Sequence, residues 1–255
     1  VLTSRKTLAI DILPQPTETT CGPTCLHAIY NYFNDPIELD QIMKEVPVLD
    51  DGGGTFGAFL GTHALKRGYR STLYTYNLKV FDPTWFMPPR PDILEKLRLQ
   101  AEYKKQKRFA AASAAYENFL RAGGRLEFTD LTSRLIITYL KASIPIIVGL
   151  SAPYLYRTAR EIGETMELDD IRGTPSGHFV VLYGYDKTTR EIYLADPLKP
   201  NPFSRSQRYA VHVARLINAI LLGILTNDAN LLVIEPMEER TRHPHSAAPR
   251  RKGAS

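Results

Sequence analysis

The run Gln15-Pro-Thr-Glu-Thr-Thr-Cys21-Gly-Pro-Thr-Cys25 constrains this chain more than any other stretch. Proline removes a backbone donor and is tolerated in a helix only at its first turn, where N–H groups lack partners anyway. Behind Pro23, the residues Leu26, Ile29, Tyr30 and Phe33 recur at helical spacing, which predicts a buried helix from Cys21 to about Phe33. Cys21 then stands at a helix tip, where the dipole and free N–H groups favour thiolate, the nucleophilic form. It is the first candidate for chemistry.

A chain of 255 residues is long enough for a sizeable core. Its 44% hydrophobic and 23% charged residues are those of an ordinary globular protein. The net charge is +5, but Arg240, Arg242, Arg250, Arg251 and Lys252 crowd into residues 237–255 against Glu238 and Glu239. We therefore expect a near-neutral folded part over 1–236, a disordered basic tail over 237–255, and no nucleic-acid partner. No apolar secretion signal is visible at the N-terminus. The longest apolar run, Leu216 to Leu225, is about half of a membrane span, so no span is expected. Two cysteines four residues apart make no disulfide framework. A cytoplasmic location fits these features.

Along the chain, Leu8–Leu13 reads as an extended lead-in to the Cys21 helix. Asp35–Val46 and Phe56–Lys66 read as helices and Arg70–Tyr76 as a strand. Asp50-Asp-Gly-Gly-Gly-Thr55 is best taken as a turn with a cap, although exposed N–H groups there would also suit an anion. Val80–Pro91 holds four prolines, and Asp92–Leu120 is strongly helical up to Gly123-Gly124. Residues 77–128 are thus expected to be a helical insertion packed on a smaller core within a single domain. Leu131–Lys141 predicts a helix, Ile144–Leu150 a buried strand, and 151–174 a functional loop. His178–Tyr185 and Glu191–Asp196 form a hairpin, Tyr209–Leu225 reads as largely helical, and Ala229–Ile234 closes as a strand. Helices first and strands later predict α+β.

A thiol nucleophile needs a base, and the base an orienting partner. Of six histidines, His243 and His245 lie in the tail, His27 and His63 inside predicted helices, and His212 in a helix lead-in. His178 opens a strand after Pro175-Ser-Gly177, at a rim. If Lys187–Thr189 is the hairpin loop, Asp196 falls opposite Val180, a same-face diagonal neighbour of His178. Diagonal neighbours lie roughly 7–8 Å apart, within reach of a carboxylate and an imidazole. A different turn length would flip the face. The Gln15 amide, with the Cys21 N–H, would supply donors for an oxyanion, each typically worth about 10²–10³ in rate.

Gln15-x5-Cys21-Gly-Pro, His178-Phe-Val-Val-Leu-Tyr-Gly-Tyr-Asp186 and Ile192-Tyr-Leu-Ala-Asp196-Pro197 together resemble the papain-like cysteine peptidases of the bacteriocin leader-processing type, family thirty-nine of that class. The resemblance covers about 8–33, 56–76 and 131–197. It implies a papain-like α+β fold in which a Cys-bearing N-terminal helix packs on an antiparallel sheet carrying His and Asp. It further implies Cys21 as nucleophile, His178 as base, Asp196 as orienter and Gln15 as oxyanion donor. The chain departs from transporter-fused relatives in showing no spanning segment and no phosphate-binding loop, and so reads as a stand-alone member.

The remaining motifs take plainer readings. Cys25 is expected to be core packing, since its spacing from Cys21 has one residue too many for a redox pair and lacks the pairing of a zinc site. His27 and His63 read as structural, Trp85 and Phe86 as insertion core, and Lys104, Lys105, Lys107 and Arg108 as a solvated helix face. Tyr154 and Tyr156 stay open between packing and the cleft. The expected function is hydrolysis of a peptide or amide bond through a Cys thioester, with a peptide or protein substrate and neither metal nor cofactor. Acyl transfer, amide formation or deamidation on the same triad remains the alternative, as does a non-catalytic peptide-binding module.

Overall fold

The structure is a computed structural model that describes residues 4–49, 54–163 and 165–237. The expected basic tail, save Met237, and the Asp50–Gly53 turn lie outside the described residues. Helix α1, Cys21–Tyr32, begins where Pro23 permits it and buries Cys25, Leu26, Ile29 and Tyr30 on its inner faces. Helices α2 (Leu39–Glu45) and α3 (Gly57–Lys66) follow and lead into strand β2, Tyr69–Thr75, after the short β1, Arg5–Thr7. Gly22 is small for a reason: a Cβ there would meet the Thr55 Cγ2 at 2.7 Å and Leu60 just beyond. The start of α1 is thereby seated tightly on α3.

Residues 77–128 hold a 3₁₀ turn (Pro83–Phe86), helices α4 (Ile93–Tyr103) and α5 (Lys107–Arg121), and strand β3 (Arg125–Glu127). The strongly helical stretch 92–120 is a pair of helices, separated at Lys104–Gln106, where three consecutive polar residues have no apolar face to bury. Phe81 gathers Trp85, Phe86 and Tyr116 edge-on, and Phe86 stacks on Phe128, so Trp85 and Phe86 do pack this region. Phe119, fully buried, lays its ring against Gly61 of α3 and Gly124. The segment also lends β3 to the sheet, parallel to β2.

Helix α6 (Ser133–Lys141), capped by the Thr132 hydroxyl, leads to β4 (Ile146–Ser151) and the short α7 (Ala152–Tyr156). Then come β5 (Gly177–Asp186), β6 (Glu191–Ala195), β7 (Arg208–His212), α8 (Val213–Leu222) and β8 (Asn230–Pro236). The sheet runs β3-β2-β8-β4-β5-β6-β7, with β1 beside the far end of β5. Apart from the β2–β3 pair, its neighbours are antiparallel. Helix α1 packs on β5, and Cys25 Sγ lies 3.3 Å from the Phe179 carbonyl. This is the expected α+β layout. One expectation is corrected: residues 208–212 are strand rather than helix, because their alternation lets Tyr209 and Val211 pair with Leu194 and Ile192.

Candidate active site

Three elements converge on Asp196. It follows β6 directly, is fully buried, and its backbone N–H donates to the Gln207 carbonyl at 2.8 Å. The His178 Nε2 donates to its Oδ1 at 2.8 Å, and the Leu198 N–H to the same oxygen at 3.0 Å. Its Oδ2 accepts from Tyr156 Oη at 2.8 Å, Asn201 Nδ2 at 2.9 Å and Tyr209 Oη at 2.5 Å. Five donors on one carboxylate more than satisfy the need created by removing it from water. Burial alone would raise its pKa, but the His178 charge, that residue's hydrogen bond, and those of Tyr209 and Leu198 reverse the sign and hold it below the usual range.

The face shared by His178 and Asp196 was conditional on a three-residue loop, and the loop is longer. The last hairpin pair is Asp186 with Glu191, leaving four residues between. A β-bulge at Tyr183, between Leu182 and Gly184, adds one compensating residue on the other strand. Ala195 therefore pairs with Val181, and the next position returns Asp196 to Val180.

His178 is buried among Asp196, Tyr156 (ring centroids 6.0 Å apart) and Cys21. Burial lowers its pKa, but the Asp196 charge and hydrogen bond, with the Cys21 side chain acting the same way through hydrogen bonding and charge, push it up to about 10. With Nε2 turned to Asp196, Nδ1 is the nitrogen left for sulfur. Cys21 keeps 7% of its surface exposed and Cys25 none, a difference that decides which thiol a substrate can touch. Burial raises the Cys25 pKa well above its ordinary value. The first turn of α1 carries no side-chain cap and no acidic residue, so its leading N–H groups beside Cys21 have no side-chain acceptor.

Gln15 is tied to the same loop, its backbone N–H donating to the Pro197 carbonyl at 2.8 Å. Its Nε2 donates to the Thr17 carbonyl at 3.1 Å, and its Oε1 is buried with no hydrogen-bond partner among the described residues. One of the two amide hydrogens is thus engaged and the other is free to serve. His63 sits between Tyr30 Oη (2.7 Å) and Glu45 (2.8 Å), a satisfied histidine away from this centre. His212 caps α8, its Nδ1 accepting from the Ala214 N–H. Tyr156, Asn201 and Tyr209 are the site residues that sequence reading left unassigned. Only Tyr156 carried a signal, in its position after the strand flanking the cleft.

Residues 98–216 match the Peptidase_C39 like family. The chain is similar to that family over just under half of its length. The matched segment holds His178 and Asp196, while Gln15 and Cys21 precede it. The chain's own architecture is α+β, helices packed on one large, mostly antiparallel sheet. Among solved structures the chain is similar to a putative C39-like peptidase from Bacillus anthracis, at 14% identity over 91% of this chain and 98% of that one, TM-score 0.49. A double glycine motif protease from an AMS/PCAT transporter, in complex with the leader peptide, matches at 14% identity over 91% and 94%, TM-score 0.44. Xylellain, a cysteine protease from Xylella fastidiosa, matches at 15% identity over 93% and 88%, TM-score 0.43. No curated protein matches. Among the described residues no helix is long and apolar enough to cross a membrane.

Proposed function

We propose that this C39-like chain is a cysteine peptidase in which Cys21 is the nucleophile, His178 the acid and base, Asp196 the orienting carboxylate and Gln15 an oxyanion donor. The observation that carries the reading is the continuous link from the Cys21 side chain through His178 to a carboxylate held by five donors. With a pKa of about 10, His178 is protonated at neutral pH and stands ready to protonate a leaving amine. Sulfur adds to the peptide carbonyl, the C–N bond breaks, and the amine departs with the His178 proton. Water then adds to the thioester, giving a proton to His178 and releasing the acid and the thiolate, which restores the starting ion pair. The free Gln15 hydrogen and the N–H groups opening α1 are the donors available to each tetrahedral oxyanion.

Product masses after incubation with candidate peptides test this directly. Hydrolysis products that vanish in Cys21→Ala support it; masses that shift by acyl transfer or deamidation replace it. A thiol-directed probe should label Cys21 and leave Cys25 untouched, because Cys25 is sealed and its ionisation suppressed. Gln15→Ala should cost about 10²–10³ in turnover with little loss of binding. An unchanged turnover removes Gln15 from the mechanism.

A further inference from the structure

Between α7 and α8 lies a cleft of about 340 Å³ lined by Pro153, Tyr154, Arg157, Arg215 and Asn218. Nothing in the peptidase reading uses it. No carboxylate lines it, and among the described residues neither arginine has an ion-pair partner. From this pairing of guanidinium groups across a concave wall, we propose that the cleft is a binding site for a compact oxyanion, a carboxylate or a phosphate, gripped by Arg157 and Arg215.

Each wall is already held in place. Asn218 Nδ2 donates across the cleft to Tyr154 Oη at 3.3 Å, which leaves the tyrosine hydrogen free to donate to a guest. Arg215 lies over the Phe203 ring, 5.5 Å from its centroid, and Phe203 packs on Tyr209 at 5.2 Å. A guanidinium laid on a ring keeps its edge donors for a bidentate acceptor. Arg157 ends α7 in the left-handed region, φ 60° and ψ 43°, where helices usually place glycine. An arginine there costs backbone energy that glycine would spare, yet it is a residue of the cleft lining. Oxyanions are the guests that two guanidinium groups in one cleft, with hydroxyl and amide donors beside them, select, and neutral amides gain little from them.

The walls also adjoin Asp196. Tyr156, two residues from Tyr154 on α7, and Tyr209, beneath Phe203, both donate to its Oδ2. None of the residues lining the cleft belongs to the proposed catalytic set, so its test reads binding and not hydrolysis. Calorimetric titration of the full chain at low ionic strength would use inorganic phosphate, N-acetyl-glutamate amide and its neutral counterpart N-acetyl-glutamine amide. Saturable binding of phosphate or the glutamate derivative, but not of the glutamine one, is expected. Arg157→Gly and Arg215→Gln should each weaken it at least tenfold, and Arg157→Gly should do so without lowering the unfolding temperature. Binding of the glutamate derivative alone assigns the site to acidic residues of a polypeptide, and of phosphate alone to a free anion. No saturable binding by either, or undiminished binding in both variants, overturns the proposal. Cys21→Ala should bind as the parent does, so the two readings fail separately.

Discussion

Asp196 Oδ2 is where single atoms matter most. Tyr156 from α7 and Tyr209 from β7 both donate to it, and each hydrogen bond to a charged group is worth about 1.5–3 kcal/mol. Tyr156→Phe or Tyr209→Phe should therefore slow peptide hydrolysis by about tenfold or more. Fewer donors stabilise the carboxylate less, so the Asp196 pKa rises and the acid limb of the pH–rate profile should move to higher pH. A rate loss with the limb in place would mean the tyrosines serve packing alone. Gly177 is a second sensitive position, because a Cβ there would lie 1.8 Å from the Asp228 Oδ2. Gly177→Ala should cost about 1–3 kcal/mol or more in urea unfolding. Gly163→Ala, which meets nothing within 4 Å, should be neutral.

At the scale of elements, the helices and the hairpin were legible because each carries its own periodicity or stop signal. Pro23 and the Leu26–Phe33 spacing located α1 within a residue or so. Strand β7 was misread because its apolar residues run on into α8 without a breaker, and only pairing with β6 separates them. The exact break between α4 and α5 has no local signal, because Lys104–Gln106 are good helix formers. The joint of α5 with α3 rests on Phe119, and Phe119→Ala should cost about 3–5 kcal/mol in chemical denaturation. A loss under about 1 kcal/mol would show that α5 is not anchored by that ring.

For the whole molecule, stability follows from three buried ionisable groups. His178 has a folded pKa of about 10, above its ordinary 6.5, so its contribution is full below 6.5 and lost as pH rises through about 10. Asp196 has a folded value below 3.8, so its contribution is present above 3.8 and lost on further acidification. Asp228 has the opposite sense: burial raises its pKa to about 7, although the Thr226 hydroxyl, Arg108 and His178 oppose the shift. Its contribution is full below 3.8 and lost as pH rises through about 7. Asp228→Asn should accordingly be more stable than the parent at pH 8, by on the order of a few kcal/mol. The gap should close toward pH 4 in unfolding curves measured across that range. A pH-independent difference would show that the Asp228 carboxyl titrates alike in the folded and unfolded chain, its pKa unshifted by burial.

The sequence by itself determined the α+β order and the start of α1, since each depends on residues within a few positions of one another, and it named the thiol, imidazole and carboxylate that are proposed to act together. Tertiary structure decided the rest. It cancelled a longer turn against the Tyr183 bulge, and it brought Tyr156, Asn201 and Tyr209 onto Asp196. Register and burial depend on strands closing at a distance, where one extra residue reverses a face and another restores it. No local pattern encodes that balance.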